Sequence, residues 1–145
     1  MPKKLSEQKE RKIREEFGNF PFPAYLGLEI DRLEYGKTRL KLPFDQRLTQ
    51  GQNFIHGGAI ASLCDSSVAF ALATMIDRGE YMLTIEFKIN FTAPADSDLY
   101  ADAEIIHKGN HTAVGEVDVI KSDGTLVAKS VVTYFLDTKG SNGKS

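Results

Sequence analysis

Tryptophan is absent from this 145-residue chain, cysteine occurs once, and neither sign of charge dominates. Each shortage removes a class of explanation. A lone cysteine, Cys64, cannot close an internal disulfide, so the fold must rest on its own apolar core. The 18 Lys and Arg against 20 Asp and Glu leave a net charge of −2, which offers no footprint for a nucleic-acid backbone. No apolar run reaches the roughly 18 residues of a membrane span, and no charged-then-apolar leader opens the chain. The expectation is a soluble, cytoplasmic protein without nucleic-acid or membrane partners. What is present is ordinary for a globular chain: 41% hydrophobic and 26% charged residues. A chain of this length reads as one domain that buries roughly 70% of its unfolded surface.

The organising stretch runs from Gln50 to Met75. Gly57 and Gly58 break what precedes them, and from Ala59 nothing interrupts a helix until Asp77, Arg78 and Gly79 supply a stop. This helix is Ala-rich and apolar around most of its circumference, so other elements must wrap it. Asp65 sits in its middle. An ionised carboxylate buried without partners costs several kcal/mol (roughly), so Asp65 requires a polar cavity or a function.

Before that helix, residues 1–20 read as a charged extension holding a short, loosely docked helix with a structural role at most, because Leu5, Ile13 and Phe17 are its only large apolar positions up to Phe17. Pro21 and Pro23 are expected to end any helix, with extended structure from Tyr25 to Leu33. A turn at Tyr35-Gly36-Lys37 leads into Thr38 to Leu42, which alternates apolar and charged residues. After the helix the period becomes two. Leu83, Ile85, Phe87, Ile89 and Phe91 fall on one face, read as core, opposite Met82, Thr84, Glu86, Lys88 and Asn90. Small residues alternate inward at Ala101 and Ala103, leaving room for the helix. Turns at Lys108-Gly109-Asn110 and Ser122-Asp123-Gly124 separate the last strands. The main domain is placed at 21–137 and a disordered tail at 138–145.

Two strands, one long helix and four strands make an α+β chain: a curved antiparallel sheet wrapped around one central helix. That helix would have roughly 19 residues and a length of about 28 Å. A single subunit would leave sheet edges unpaired, and edge-to-edge dimerisation satisfies them.

The segment Gly51 to Asp65 reads G-x-N-x-x-H-G-G followed by six residues and Asp. Together with F-x-A-P-A at Phe91 to Ala95, and G-N-H-T running into V-G-E-V at Gly109 to Val117, it resembles the hotdog-fold acyl-CoA thioesterases of the phenylacetic-acid-degradation (PaaI-like) type. The resemblance covers roughly Tyr25 to Leu136. It implies hydrolysis of an aromatic or medium-chain acyl thioester by a homodimer or homotetramer (a dimer of dimers), without metal or organic cofactor, coenzyme A being part of the substrate. It also implies site residues. Asp65 would attack the carbonyl or activate water, and the Gly57 N–H would polarise the carbonyl, with His56 beside it. Gln50 stands where many members have Asn, to hold substrate or water, and Thr84 where members have Ser or Thr. Asn53 and Gly58 would contact substrate, and Lys108, Asn110 and His111 the nucleotide end of coenzyme A.

The chemistry fits the residue types. Thioester cleavage needs a base or nucleophile and donors aimed at the developing oxyanion. N–H groups at a helix start lack intrahelical partners and lie at the positive end of the dipole. Eight residues separate Gly57 from Asp65, about 12 Å along the axis, too far for one carbonyl to touch both. Gly57 of one subunit is therefore expected to face Asp65 of the other across a twofold axis. Phe54, Val68, Phe70 and Leu72 are candidates to line the acyl tunnel. By alternation Thr84 falls opposite Leu83 and Ile85, outside the core unless its strand lies at a dimer edge. Plainer readings stand beside these: a structural Asp65 bonded to neighbours, a packed Cys64, solvent-side His107 and His111 with no zinc-like spacing, and a non-catalytic acyl-thioester binding protein on the same fold.

Overall fold

The computed structural model describes residues 2–77 and 80–138, in which three α-helices and six strands appear. The order is α1 (Glu7–Phe17), α2 (Pro21–Leu26), β1 (Glu29–Glu34), β2 (Lys37–Leu42), α3 (Gly57–Ala73), β3 (Glu80–Phe91), β4 (Leu99–Lys108), β5 (Thr112–Lys121) and β6 (Leu126–Thr138). All six strands join one antiparallel sheet in the order β1-β2-β4-β5-β6-β3. The long helix α3 packs on one face of it, over β2, β4 and β5. This is the hotdog arrangement the sequence led us to expect. Residues 139–145, most of the expected tail, and the stop residues Arg78 and Gly79 lie outside the described residues.

Small residues allow α3 to lie close. Ala101, Ala103 and Ala113 face it and are buried. A Cβ on Gly115 would lie 2.6 Å from Val68 Cγ1, so β5 passes directly beneath the helix only with glycine there. Hydroxyls fix the helix on its β2 side: Thr38 Oγ1 donates to the Ser67 carbonyl at 2.9 Å, and Gly36 N–H donates to Thr74 Oγ1 at 2.7 Å. That second bond ties the β1–β2 turn to the helix end, and α3 stops at Ala73 rather than running on to Asp77.

Four expectations about the chain's first part and its edge strand are corrected. Pro21 begins α2 instead of ending a helix, because a proline at the first helical position loses no intrahelical bond. Gly27, at φ 78°, closes it, so extended structure starts at Glu29 and not at Tyr25. The N-terminal helix is seated rather than loose: Ile13 and Phe17 are buried with the main core, and the Phe17 ring meets Phe70 edge-on at 4.7 Å. Finally, the Leu83–Phe91 stripe is not one buried face. The register between β3 and β6 slips between Thr84 and Glu86, making Ile85 a bulged extra residue. Met82 and Thr84 pair with Leu136 and Tyr134 of the helix-facing row. After the bulge it is Phe87, Ile89 and Phe91 that pair with that row, through Val132, Ser130 and Ala128. Leu83 and Ile85 are left 57% and 53% exposed on an edge strand.

Candidate active site

The bulge is what turns Thr84 toward α3. Thr84 Oγ1 donates to Asp65 Oδ1 at 2.8 Å, and Tyr134 on the neighbouring strand donates from its hydroxyl to the same oxygen at 2.5 Å, lying 2.9 Å from the Asp65 carbonyl as well. Thr84 and Tyr134 are register partners, so one rung of the β3–β6 ladder delivers both hydroxyls. Asp65 Oδ2 has no hydrogen-bond partner among the described residues. The carboxylate is thus fixed by one oxygen and open at the other. Burial first, and the adjacent Asp65 charge second, raise the Tyr134 phenol above its ordinary pKa, so it stays a neutral donor.

Tyr134 was not among the residues expected at the site. A signal for it exists in the sequence: it lies on the inward row of β6, where a buried phenol needs a partner for its O–H. Cys64, beside Asp65, is fully buried, and burial pushes its thiol up to about 12, which makes it a packing residue.

Asp65, Thr84 and Tyr134 open onto a cleft of about 370 Å³ whose other walls are mostly apolar. Of the four expected lining residues, Phe70 reaches it. Val68 and Leu72 are buried, with Val68 against Gly115, and Phe54 lies in the loop before α3, away from the cleft.

The start of α3 forms a second group. His56 caps the helix, its Nδ1 accepting the Gly58 N–H at 2.7 Å. A neutral imidazole accepting at Nδ1 carries its proton on Nε2. The Gly58 N–H, at a helix start where such groups lack intrahelical partners, is therefore taken by the His56 side chain. The Gly57 N–H has no partner among the described residues. A Cβ at Gly57 would lie 3.2 Å from the Phe91 ring, so the residue is small because β3 crosses over it. Gln50 and Asn53 belong to the loop leading in: Gln50 Oε1 accepts from the Gln52 N–H, and Asn53, at φ 66°, accepts from Gln46 Nε2 at 2.5 Å. Lys108, Asn110 and His111 are exposed at the β4–β5 hairpin. Within one chain, then, Asp65 and Thr84 come together, as do His56, Gly57 and Gly58, and the two groups remain apart.

The family described as Thioesterase superfamily matches residues 52–128, a segment holding Asn53, both glycines, Asp65 and Thr84. The chain belongs to the thioesterase superfamily. This thioesterase is 28% identical over 115 residues to the 1,4-dihydroxy-2-naphthoyl-CoA hydrolase of Listeria monocytogenes, covering 79% of this chain and 94% of that one. It is 27% identical over 136 residues to the medium/long-chain acyl-CoA thioesterase YigI of Salmonella typhimurium, covering 81% and 86%. A crystal structure of a thioesterase family protein from Silicibacter pomeroyi superposes with a TM-score of 0.81 at 30% identity, over 88% of this chain and 97% of that one. The activity of this thioesterase is hydrolysis of a thioester. Among its described residues no helix is long and apolar enough to cross a membrane, and no three His, Cys, Asp or Glu side chains gather as a metal site.

Proposed function

We propose that this thioesterase is a cytoplasmic enzyme of the phenylacetic-acid-degradation type that hydrolyses acyl-CoA at a site shared between two copies of the chain. One observation carries the reading: Asp65 is held at Oδ1 by two hydroxyls and presents an unbonded Oδ2 to an apolar cleft. In the base form, Oδ2 takes a proton from water as that water's oxygen bonds to the thioester carbon. The C–S bond then breaks and the proton passes to the coenzyme A thiolate. In the nucleophile form, Oδ2 itself bonds to the carbon and expels the thiolate, and water cleaves the resulting mixed anhydride. Both forms need a donor for the carbonyl oxygen.

The free Gly57 N–H at the positive end of α3 suits that task, but about 12 Å of helix separates it from its own Asp65. Gly57 of the partner subunit is the donor in this reading. The long edge strand β3, with exposed apolar side chains on both faces, supports pairing of the two copies there. We assign His56 to shaping the helix start, and Gln50 and Asn53 to holding substrate or water. Gly58 lets the substrate approach closely. Lys108, Asn110 and His111 are assigned to the nucleotide of coenzyme A, and the outer face of the sheet is available for pairing dimers into a tetramer. The similar proteins named for naphthoyl and for medium- or long-chain thioesters both handle apolar acyl groups, which agrees with the lining of the cleft.

Complementation tests the shared site. Asp65→Asn and Gly57→Pro, the latter deleting the N–H at a first helical position that tolerates proline, are each expected to lose at least about a hundredfold in kcat for free-thiol release from acyl-CoA. Co-expressed with separate tags and purified as a statistical mixture, the two variants should recover about a quarter of the parental rate, because half the dimers are mixed and each mixed dimer keeps one intact site. Isolated mixed dimers without recovered activity would refute the shared site. Parental-level turnover by Asp65→Asn would remove the carboxylate from the mechanism.

A further inference from the structure

The cleft beside Asp65 has a floor and a roof of different origin. Asp65, Ala69 and Ala73 follow one another at four-residue steps along one face of α3, and Met82 of β3 lies alongside. The opposite wall comes from Ile13 and Glu16 of α1 and from Phe20, residues outside the segment that defines the family. We infer that this chamber receives a straight acyl chain lying parallel to α3, and that α1 and the start of α2 close it and set the longest chain accepted.

The geometry favours a chain over a ring system. Ala69 and Ala73 lie about 6 and 12 Å beyond Asp65 along the helix axis. At about 1.2 Å per bond of an extended chain, the row spans roughly ten carbons. The volume of about 370 Å³ lies within the range of small-ligand pockets. Alanines at 69 and 73 leave the space open along α3, and α1 walls it, with Ile13 buried, Phe17 meeting Phe70 and the Phe20 ring meeting Phe70 edge-on at 5.5 Å; beyond Ala73 the space borders Lys9, Lys12, Asp77 and Glu80, a polar limit for an apolar chain.

This inference rests on the thioesterase reading and specifies its substrate, so its test separates the two. The parent, Ala73→Leu and Ala69→Leu are compared on saturated acyl-CoAs from butanoyl to tetradecanoyl, by kcat/KM. The same proteins are titrated with S-alkyl-CoA thioethers of the same lengths, which cannot be hydrolysed. Ala73→Leu should lower the dodecanoyl-to-butanoyl ratio of kcat/KM at least about tenfold, since even one methylene in an apolar pocket changes discrimination by that order. Ala69→Leu should move the break to shorter chains still, and thioether affinities should follow both shifts. An unchanged length profile in both variants, or an equal loss at every length, would overturn the chamber. So would failure of both variants to fold, because that would mean the space is already filled. Graded thioether binding without any turnover would keep the chamber and refute the hydrolase reading instead.

Discussion

The two flanks of α3 are fastened by the same chemistry to different ends. On the β1–β2 flank the hydroxyls of Thr38 and Thr74 are buried and bond to main-chain groups. On the β6–β3 flank the hydroxyls of Tyr134 and Thr84 bond to a carboxylate that opens onto a cleft. The sheet edges differ in the same direction. β1 has six residues, four of them charged, and Arg32 and Arg39 cluster with Asp102. β3 has twelve residues and exposes Leu83, Ile85, Phe87 and Phe91. Short, charged edges resist further pairing and long apolar ones invite it. One flank is closed by bonds to its own main chain, while the other leaves a carboxylate oxygen and an apolar strand edge open.

The largest effect should come from the open edge. Ile85→Lys places like charges close together wherever two β3 strands meet, so it should convert dimer to monomer and lower kcat/KM at least about a hundredfold while leaving the circular dichroism spectrum intact. Asp31→Lys on the β1 edge should change neither mass by light scattering nor rate. Full activity in a variant that has become monomeric would detach the edge from the site. A smaller pair of changes compares the hydroxyls. Tyr134→Phe should reduce kcat about tenfold with KM within about twofold, and lower stability by about 2 kcal/mol, the scale of a hydrogen bond to a charged group. Thr38→Val should lower stability by about 1 kcal/mol in denaturant titration and leave kcat at the parental value. If the two variants affected kcat alike, the flanks would not differ in function.

Period-two strands, the inward alanines and the Asp-Gly turn are written locally, and the structure reproduces them at β2, β4, β5 and β6. The Asp65 and glycine motif was legible for the same reason: it is contiguous. The placement of Thr84 beside Asp65 was carried only by the resemblance, because a strict alternation takes it away from the core. Only the cross-strand register reveals that Ile85 is an extra residue which resets the phase. Tyr134 lies 69 residues from Asp65, and nothing local to either residue announces the pair. The docking of α1 is not legible in the sequence, because two apolar residues in a charged segment look like a solvated helix until Phe70 is known to lie beneath them.

The smallest effect belongs to the closed flank and bears on whether its charges matter. Arg39 makes two bonds to Asp102, at 2.6 and 2.8 Å, yet both side chains remain partly exposed, at 27% and 38%. Solvent screens such a pair, and exposed ion pairs contribute about 0–1 kcal/mol. Arg39→Gln should therefore cost under about 1 kcal/mol in denaturant midpoint comparisons, and the difference should shrink further near 1 M salt, where screening reaches about 3 Å. The rate of thiol release should not change. A loss of several kcal/mol would mean that the charged flank supports the fold as strongly as the core does. The contrast with β3 would then reflect strength of attachment rather than division of labour.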